Sequence, residues 1–361
     1  MLLASCQKGA DKVAELQNVI LDAHFAENAT SLSDEFTDFE IIPLENRQEC
    51  MLTDVKKLIV TDTGMYVLDA ASMPRVLSFH PDGRFRNAIG RIGHAKGEYQ
   101  MIMNMASNAK GDTVAVINYP EIYLYNADGT FLSALGIEND SGAEDILLTD
   151  KGVYLGYFHR QEASLMKLYG KDMKPIADII ETPVAPIGTP LGMDNGHVMQ
   201  EDGNSIYCLD PFNSCFYVCD KDVPQNVVKY SIGLENMLAE TNIRDNTDMG
   251  DGIYRINSYQ VCNGVVRGIM EHNAGYYDFR LSLSDKTATL MHHTDFSYSF
   301  DCCRLGYFYK VISASTLLCY MDTGRRYMEP IRKLLGTALS DLEGKVSYAD
   351  NYYIVKMRQK Q

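Results

Sequence analysis

Short apolar runs and turn residues alternate along the first third of the chain. "KKLIVTD", "GMYVLDA", "RVLSFHPDG" and "RFRNAIG" follow one another from Lys56 to Gly90. Each run is four to seven residues long, rich in β-branched or aromatic residues, and bounded by Gly, Asp or Pro. That is the pattern of consecutive strands joined by tight turns. The pattern then recurs as "YQMIMNMASNAKG", "DTVAVIN", "EIYLYNADG" and "TFLSALG". The phrase Asp82-Gly83-Arg84-Phe85 through Ile89-Gly90 returns as Asp128-Gly129-Thr130-Phe131 through Leu135-Gly136. The repeating unit is therefore four antiparallel strands, with the Asp-Gly pair in the hairpin between the third and fourth, where positive φ is required. Lys171-Asp172, Asp220-Lys221-Asp222 and Ser284-Asp285-Lys286 take the same slot later.

The second strand of each unit sets the count. It opens near Gly64, Gly111, Gly152, Gly203, Asn263 and Ser315, at spacings of 47, 41, 51, 60 and 52 residues. A period of about 40–50 residues with four strands per repeat predicts an all-β fold, a six-bladed β-propeller, because one such sheet cannot bury both faces unless its neighbours stack around a ring. The uneven period places insertions at 233–252 and at 328–342. The second has helical spacing, with Ile331, Leu334, Leu335 and Leu342 on one side. The last unit supplies only three strands, "GYFYKVIS", "STLLCYM" and "NYYIVKMR". Residues 36–45, "FTDFEIIPLE", are an orphan strand and are expected at the outer edge of the sixth blade, closing the ring. The domain then spans 32–361, with residues 7–31 as a tether.

The stretch from Ser31 to Tyr99 resembles the six-bladed β-propeller lipoproteins of Bacteroides-type bacteria, relatives of NHL-repeat and TolB-like propellers and mostly of unknown function. The shared marks are "IPLE", "YVLD", F-x-x-x-G-x-F and "IGRIGHAKGEY", together with the tail "NYYIVKMRQK". The family commonly reads Gly-Pro-Gly-Glu-Tyr where this chain has Lys96-Gly97-Glu98-Tyr99. The resemblance implies a cell-envelope location and no particular reaction. It agrees with the N-terminus, where Leu3-Ala4-Ser5-Cys6 has the form of a lipobox. Residues 1–6 are read as the remnant of a lipoprotein signal peptide, with Cys6 as the lipid attachment site.

Composition narrows the partners. The formal charge is −15. No basic stripe is present, so nucleic acid is not expected, and contact with a membrane is expected only through the lipid anchor. Tyr (23) and Phe (13) supply the aromatic residues and Trp is absent, so Tyr is the residue available for stacking on a sugar. The nine cysteines form no paired CxxC knuckles, and a structural zinc site is not expected. Cys208, Cys215 and Cys219 read as buried thiols, with a Cys208–Cys215 disulfide across a hairpin as the sharper alternative.

Propeller ligands bind where blade-joining loops converge on the channel. Arg91, His94, Lys96 and Glu98, in the loop between the first two units, are therefore the ligand-binding candidates. The competing expectation is that Arg91 and Glu98 only tie that loop together. Tyr157, His159, Arg160 and Glu162, and likewise Glu271, His272 and Asn273, stand at matching turns of alternate units. His292, His293 and Asp295 invite a metal reading, but adjacent histidines on a strand point to opposite faces. Asp245, Asp248 and Asp251 lack the bidentate acid of a calcium loop. No nucleophile elbow, H-E-x-x-H or P-loop is present. No cofactor, catalytic residue or metal ligand is assigned. The first reading is a non-enzymatic, lipid-anchored module that binds a glycan, a peptide or an envelope protein. The alternative is an envelope hydrolase, lyase or lactonase with its site at the channel mouth. A third idea is a scaffold that oligomerises through its helical insertion.

Overall fold

Strand β1 (Gln17–Phe25) is the first element in the computed structural model, which describes residues 16–137, 142–157, 164–181, 198–210, 214–233, 254–272 and 275–360. A short helix α1 (Leu32–Glu35) follows, capped by Ser31, and leads into β2 (Phe36–Pro43). The four-stranded units come next. The first holds β3 (Val55–Val60), β4 (Met65–Asp69), β5 (Arg75–Phe79) and β6 (Phe85–Ile89). The second holds β7 (Met105–Ser107), β8 (Thr113–Asn118), β9 (Glu121–Asn126) and β10 (Phe131–Gly136). The third holds β11 (Asp145–Leu148), β12 (Val153–Gly156), β13 (Ser164–Tyr169) and β14 (Pro175–Glu181). The fourth holds β15 (Met199–Asp202), β16 (Ser205–Asp210), β17 (Cys215–Asp220) and β18 (Val227–Gly233). The fifth holds β19 (Tyr254–Cys262), β20 (Val265–His272), β21 (Gly275–Ser282) and β22 (Thr287–Met291). The last sheet is built from β23 (Cys302–Arg304), β24 (Tyr307–Ile312), β25 (Tyr353–Gln359) and, returning from the start of the chain, β2.

Within every unit the pairing is antiparallel and runs in chain order. In the last sheet, β2 lies outside β25, with Ile41 opposite Val355 and Pro43 opposite Tyr353. Two distant parts of the chain thus share one sheet, as expected for residues 36–45. The first strands β3, β7, β11, β15, β19 and β23 lie side by side in that order, and β23 returns to β3. The architecture is all-β and propeller-like. Its cores are apolar layers between successive units, such as Tyr66, Val76, Tyr99, Met105, Val116 and Tyr125 between the first and second.

The repeated Asp-Gly phrase acquires a physical reason here. Gly83 (φ +85°) and Gly129 (φ +84°) sit in the hairpins between the third and fourth strands of their units. A Cβ on Gly129 would lie 2.3 Å from the Ala88 carbonyl oxygen, on the outer strand of the preceding unit. A Cβ on Gly83 would lie 2.0 Å from the Pro43 oxygen, on β2. Both the left-handed backbone and the close approach require glycine. The phrase is written twice because each copy presses its hairpin onto the outer edge of the unit before it.

Two expectations are corrected. Residues 7–31 are not simply a tether, because β1 lies between β18 and β22 and is parallel to both, joining the fourth and fifth units into one nine-stranded sheet. Its Val19 and Leu21 are buried, whereas Ile20 between them is exposed. "STLLCYM" is not a strand. Ser313 accepts from the Thr316 N–H and caps helix α2 (Ala314–Met321), which buries Ala314, Leu317 and Tyr320 at helical spacing. The sixth unit's second strand is instead β24, opening after Gly306, and its missing first strand is β23. The helical insertion accordingly begins earlier than 328. Helix α3 (Glu329–Ser340) buries Ile331, Leu335 and Leu339, and it packs on α2 and β2. Cys208, Cys215 and Cys219 are buried free thiols, as first read; Cys208 stands opposite Tyr217 and Cys215 opposite Asp210, so the alternative Cys208–Cys215 disulfide does not form.

Candidate functional site

The six first strands enclose a central cavity of about 150 Å³. Its wall includes Lys57, Asn108, Gln200, Gln260, Cys303 and Arg304, mixed with Val60, Met105, Ile146 and Met199. A polar network crosses the channel near the starts of the first strands. Lys57 Nζ lies 2.9 Å from Asp145 Oδ1 and 3.0 Å from Asn104 Oδ1. Both ionic side chains are buried, Lys57 at 2 % exposure and Asp145 at 0 %. Asp145 also accepts from the backbone N–H groups of Ile146, Val198 and Met199 at 2.8–2.9 Å. One carboxylate therefore ties the first, second, third and fourth units together. Lys56, next to Lys57, donates to the Met103 carbonyl (3.1 Å), and burial followed by the charge of Lys57 lowers its pKa.

Gln200, Gln260 and Arg304 are engaged in the same manner. Gln200 Nε2 donates to Tyr259 O and its Oε1 accepts from Val261 N. Gln260 reaches Phe300 O, and Arg304 bonds Asp62 and Ala109 O at the turn end. These bonds run from unit to unit. A space of this size holds a few water molecules, whereas a site for a sugar or a peptide side chain requires roughly 300 Å³ or more.

The loop between the first two units lies elsewhere. Arg91, His94, Lys96 and Glu98 are not in the wall of the central cavity. Arg91 Nε donates to Glu98 Oε1 (2.6 Å), and Glu98 Oε2 accepts from Ala95 N (3.0 Å). Those two bonds, the backbone one first, hold Glu98 below its ordinary pKa. His94 contacts Gln100 through Nδ1 at 3.2 Å. The Tyr99 N–H returns to Arg91 O and the Gly93 N–H to Tyr99 O, which closes the loop. Tyr99 itself is fully buried, and burial pushes its pKa up to about 12. The closed loop lays Lys96 and Gly97 against the outer strands of the second unit. There they line an open hollow of about 430 Å³ with Glu121, Tyr123 and Phe131–Ala134. The Tyr125 hydroxyl donates to Gly97 O (3.1 Å) and positions this lip. Tyr123 and Phe131 meet edge to face at 5.5 Å, and Leu132 is half exposed.

The remaining candidates are dispersed. His293 Nδ1 pairs with Asp278 Oδ2 at 2.9 Å, His292 stacks on Tyr277, and Asp295 caps α1 by accepting from Leu32 N. These three side chains serve different neighbours. Tyr157 is buried against Tyr169, their hydroxyls 3.2 Å apart. Glu271 lies in β20. His159, Arg160, Glu162, Asn273, Asp245, Asp248, Asp251 and Cys6 lie outside the described residues, as does the His272 side chain. Among the described residues, no group of three His, Cys, Asp or Glu side chains is placed to share a metal ion. No helix among them is long and apolar enough to cross a membrane.

Sequence reasoning passed over Lys57, Asn104 and Asp145, and also Glu121, Tyr123 and Phe131. Each stands alone in strand text. The one available signal was the paired lysine inside "VKKLIV", an unusual place for charge.

A family model described as "Domain of unknown function (DUF4934)" matches residues 17–358. Two solved structures resemble the chain over most of its length. A protein from Bacteroides fragilis described as exported superposes with a TM-score of 0.70 at 14 % identity, covering 96 % of this chain and 100 % of its own. A member of the DUF4221 family from Bacteroides vulgatus gives a TM-score of 0.53 at 10 % identity, covering 90 % and 97 %. At such identities the likeness concerns the fold alone. No curated protein matches the chain.

Proposed function

The chain belongs to the DUF4934 family, and from that premise we propose that it is a six-bladed β-propeller exported to the cell envelope, lipid-anchored through Cys6, that works as a binding module. The closed succession of first strands from β3 round to β23 supports the blade count. The exported relative supports the location. The ligand is an extended peptide segment held along the outer strand of the second blade.

The observation that carries this reading is the contrast between the two cavities. In the central one, Lys57, Gln200, Gln260 and Arg304 are bonded between units. The hollow beside Lys96, about 430 Å³ against about 150 Å³, is lined by four successive residues of β10, the outermost strand of its sheet. An edge strand offers backbone N–H and C=O groups to an added strand. Phe131 and Leu132 supply apolar contact, while Lys96 and Glu121 supply charge at the two ends of the incoming segment.

The test is an array of extended peptides, with a glycan array beside it, read with the soluble domain. Lys96→Glu and the double change Arg91→Ala with Glu98→Ala are each expected to weaken peptide binding about tenfold, the worth of one charge-assisted hydrogen bond. Binding unchanged in both variants would remove the hollow as the site, and binding to glycans alone would replace the ligand class. The same chain expressed with a full leader reports on the anchor, because an unmodified Cys6 by intact mass removes it.

A further inference from the structure

The first strands of the fifth and sixth units lie side by side, and both carry cysteine. Gln260 Nε2 donates to Phe300 O across this seam at 3.4 Å. Each first strand leads towards its unit's first turn, so a step of two or three residues from that contact brings Cys262 beside Cys302 and Cys303. Successive strand residues point to opposite faces, which separates the last two. Cys302 packs with Val60, Leu58 and Tyr309 towards the first unit. Cys303 packs in the cluster that holds Cys262, on the strand beside it. Cys303 is also part of the wall of the central cavity.

We infer that Cys262 and Cys303 are a disulfide-forming pair that staples the fifth unit to the sixth. A disulfide requires sulfur atoms about 2.05 Å apart. Two thiols packed in one cluster on adjacent strands approach that distance by side-chain rotation. The oxidant is a small dialkyl disulfide. The Cys262 sulfur, as thiolate, attacks one sulfur of the reagent, forming a mixed disulfide and releasing one alkylthiolate. The Cys303 thiol then loses its proton, and its sulfur attacks the Cys262 sulfur, releasing the second alkylthiolate. Two cysteine thiols are oxidised, the reagent is reduced to two thiols, and both protons end on the released thiolates. The neighbouring Cys303 thiol holds the Cys262 pKa below its ordinary value, which favours Cys262 as the attacking group. The inference rests on the export reading only for the oxidising surroundings in the cell.

The test uses the purified full chain and hydroxyethyl disulfide, followed by alkylation of the remaining thiols and peptide mass spectrometry. The expected product is one Cys262–Cys303 link with Cys302 alkylated. Its thermal midpoint is expected roughly 5 °C above that of the reduced chain. Cys262→Ser and Cys303→Ser are each expected to melt the same with and without the reagent. Alkylation of both cysteines after oxidation, a Cys262–Cys302 link, or a mixed disulfide persisting on Cys303 would overturn the pairing. Because the reaction is carried out on purified protein, its failure is separate from failure of the export reading, which the location of a tagged chain reports.

Discussion

Asp145→Ala is expected to destabilise the fold by about 3–5 kcal/mol, the usual cost of removing one partner from a buried ion pair. The carboxylate is fully buried and accepts from Lys57, Asn104 and three backbone N–H groups. Its removal strands the Lys57 ammonium between units and leaves Val198 N–H and Met199 N–H, at the entry to the fourth unit, without their acceptor. Against a typical total of about 5–15 kcal/mol, this is about a fifth or more of the stability. The double change Lys57→Met with Asp145→Leu is expected to be less damaging than Asp145→Ala, because no charge is left behind. Urea unfolding of the three variants, compared at equal slopes, measures both effects. An unfolding free energy for Asp145→Ala within about 1 kcal/mol of wild type would mean that the network does not join the units.

Glu35→Ala is expected to cost about 3 kcal/mol for a related reason. Arg267 is 1 % exposed and lies over the rings of Phe36 and Phe308. Glu35 Oε2 accepts from its Nη2 at 2.9 Å and its Nε at 3.2 Å, and the Tyr298 hydroxyl donates to Glu35 Oε1. This cluster fastens α1 to the fifth and sixth units. Burial alone would raise the Glu35 pKa. The Arg267 charge, the Tyr298 and Arg267 hydrogen bonds and the Arg280 charge outweigh it and set the pKa below the ordinary 4.5. A carboxylate depressed in the folded state binds fewer protons there than in the unfolded chain. Its stabilisation is therefore present above the ordinary value and is lost as pH falls through the folded one. Wild type is expected to lose more stability between about pH 5 and pH 3 than Glu35→Gln does, as read by denaturant midpoints across that range. Parallel losses in the two proteins would dissociate Glu35 from the acid response.

What was legible in the chain was what is written locally. Gly83 and Gly129 identify their hairpins because turn chemistry depends on a few neighbouring residues. Counting strands leaves 36–45 without a partner, and its place beside β25 follows from the need to close an edge. The Ser315 marker failed because "STLLCYM" is apolar in a manner that fits either a strand or a short buried helix, and the Ser313 cap decides it. Strand β1 was hidden in the same manner. Val19-Ile20-Leu21 is continuous apolar text, and the alternation of its burial appears only once β18 and β22, more than 200 residues away, flank it. The tie between Arg91 and Glu98, the competing expectation beside ligand binding, is present in the loop, and the loop's position follows Phe131 and Tyr125 rather than the channel. The network of Lys57, Asn104 and Asp145, with the Val198 and Met199 N–H groups, joins four separate units, and no spacing along the chain marks it.

The closure of the wheel by the start of the chain is tested most directly by a cysteine pair at Glu40 and Lys356. These residues are direct register partners on β2 and β25, and their side chains form an ion pair at 2.9 Å. Cα atoms of such partners lie about 4.5–5.5 Å apart, within disulfide range. Glu40→Cys with Lys356→Cys, oxidised and digested, is expected to yield one peptide linking positions 40 and 356. If both positions instead remain alkylatable in the folded, oxidised protein, the leading strand does not complete the last sheet.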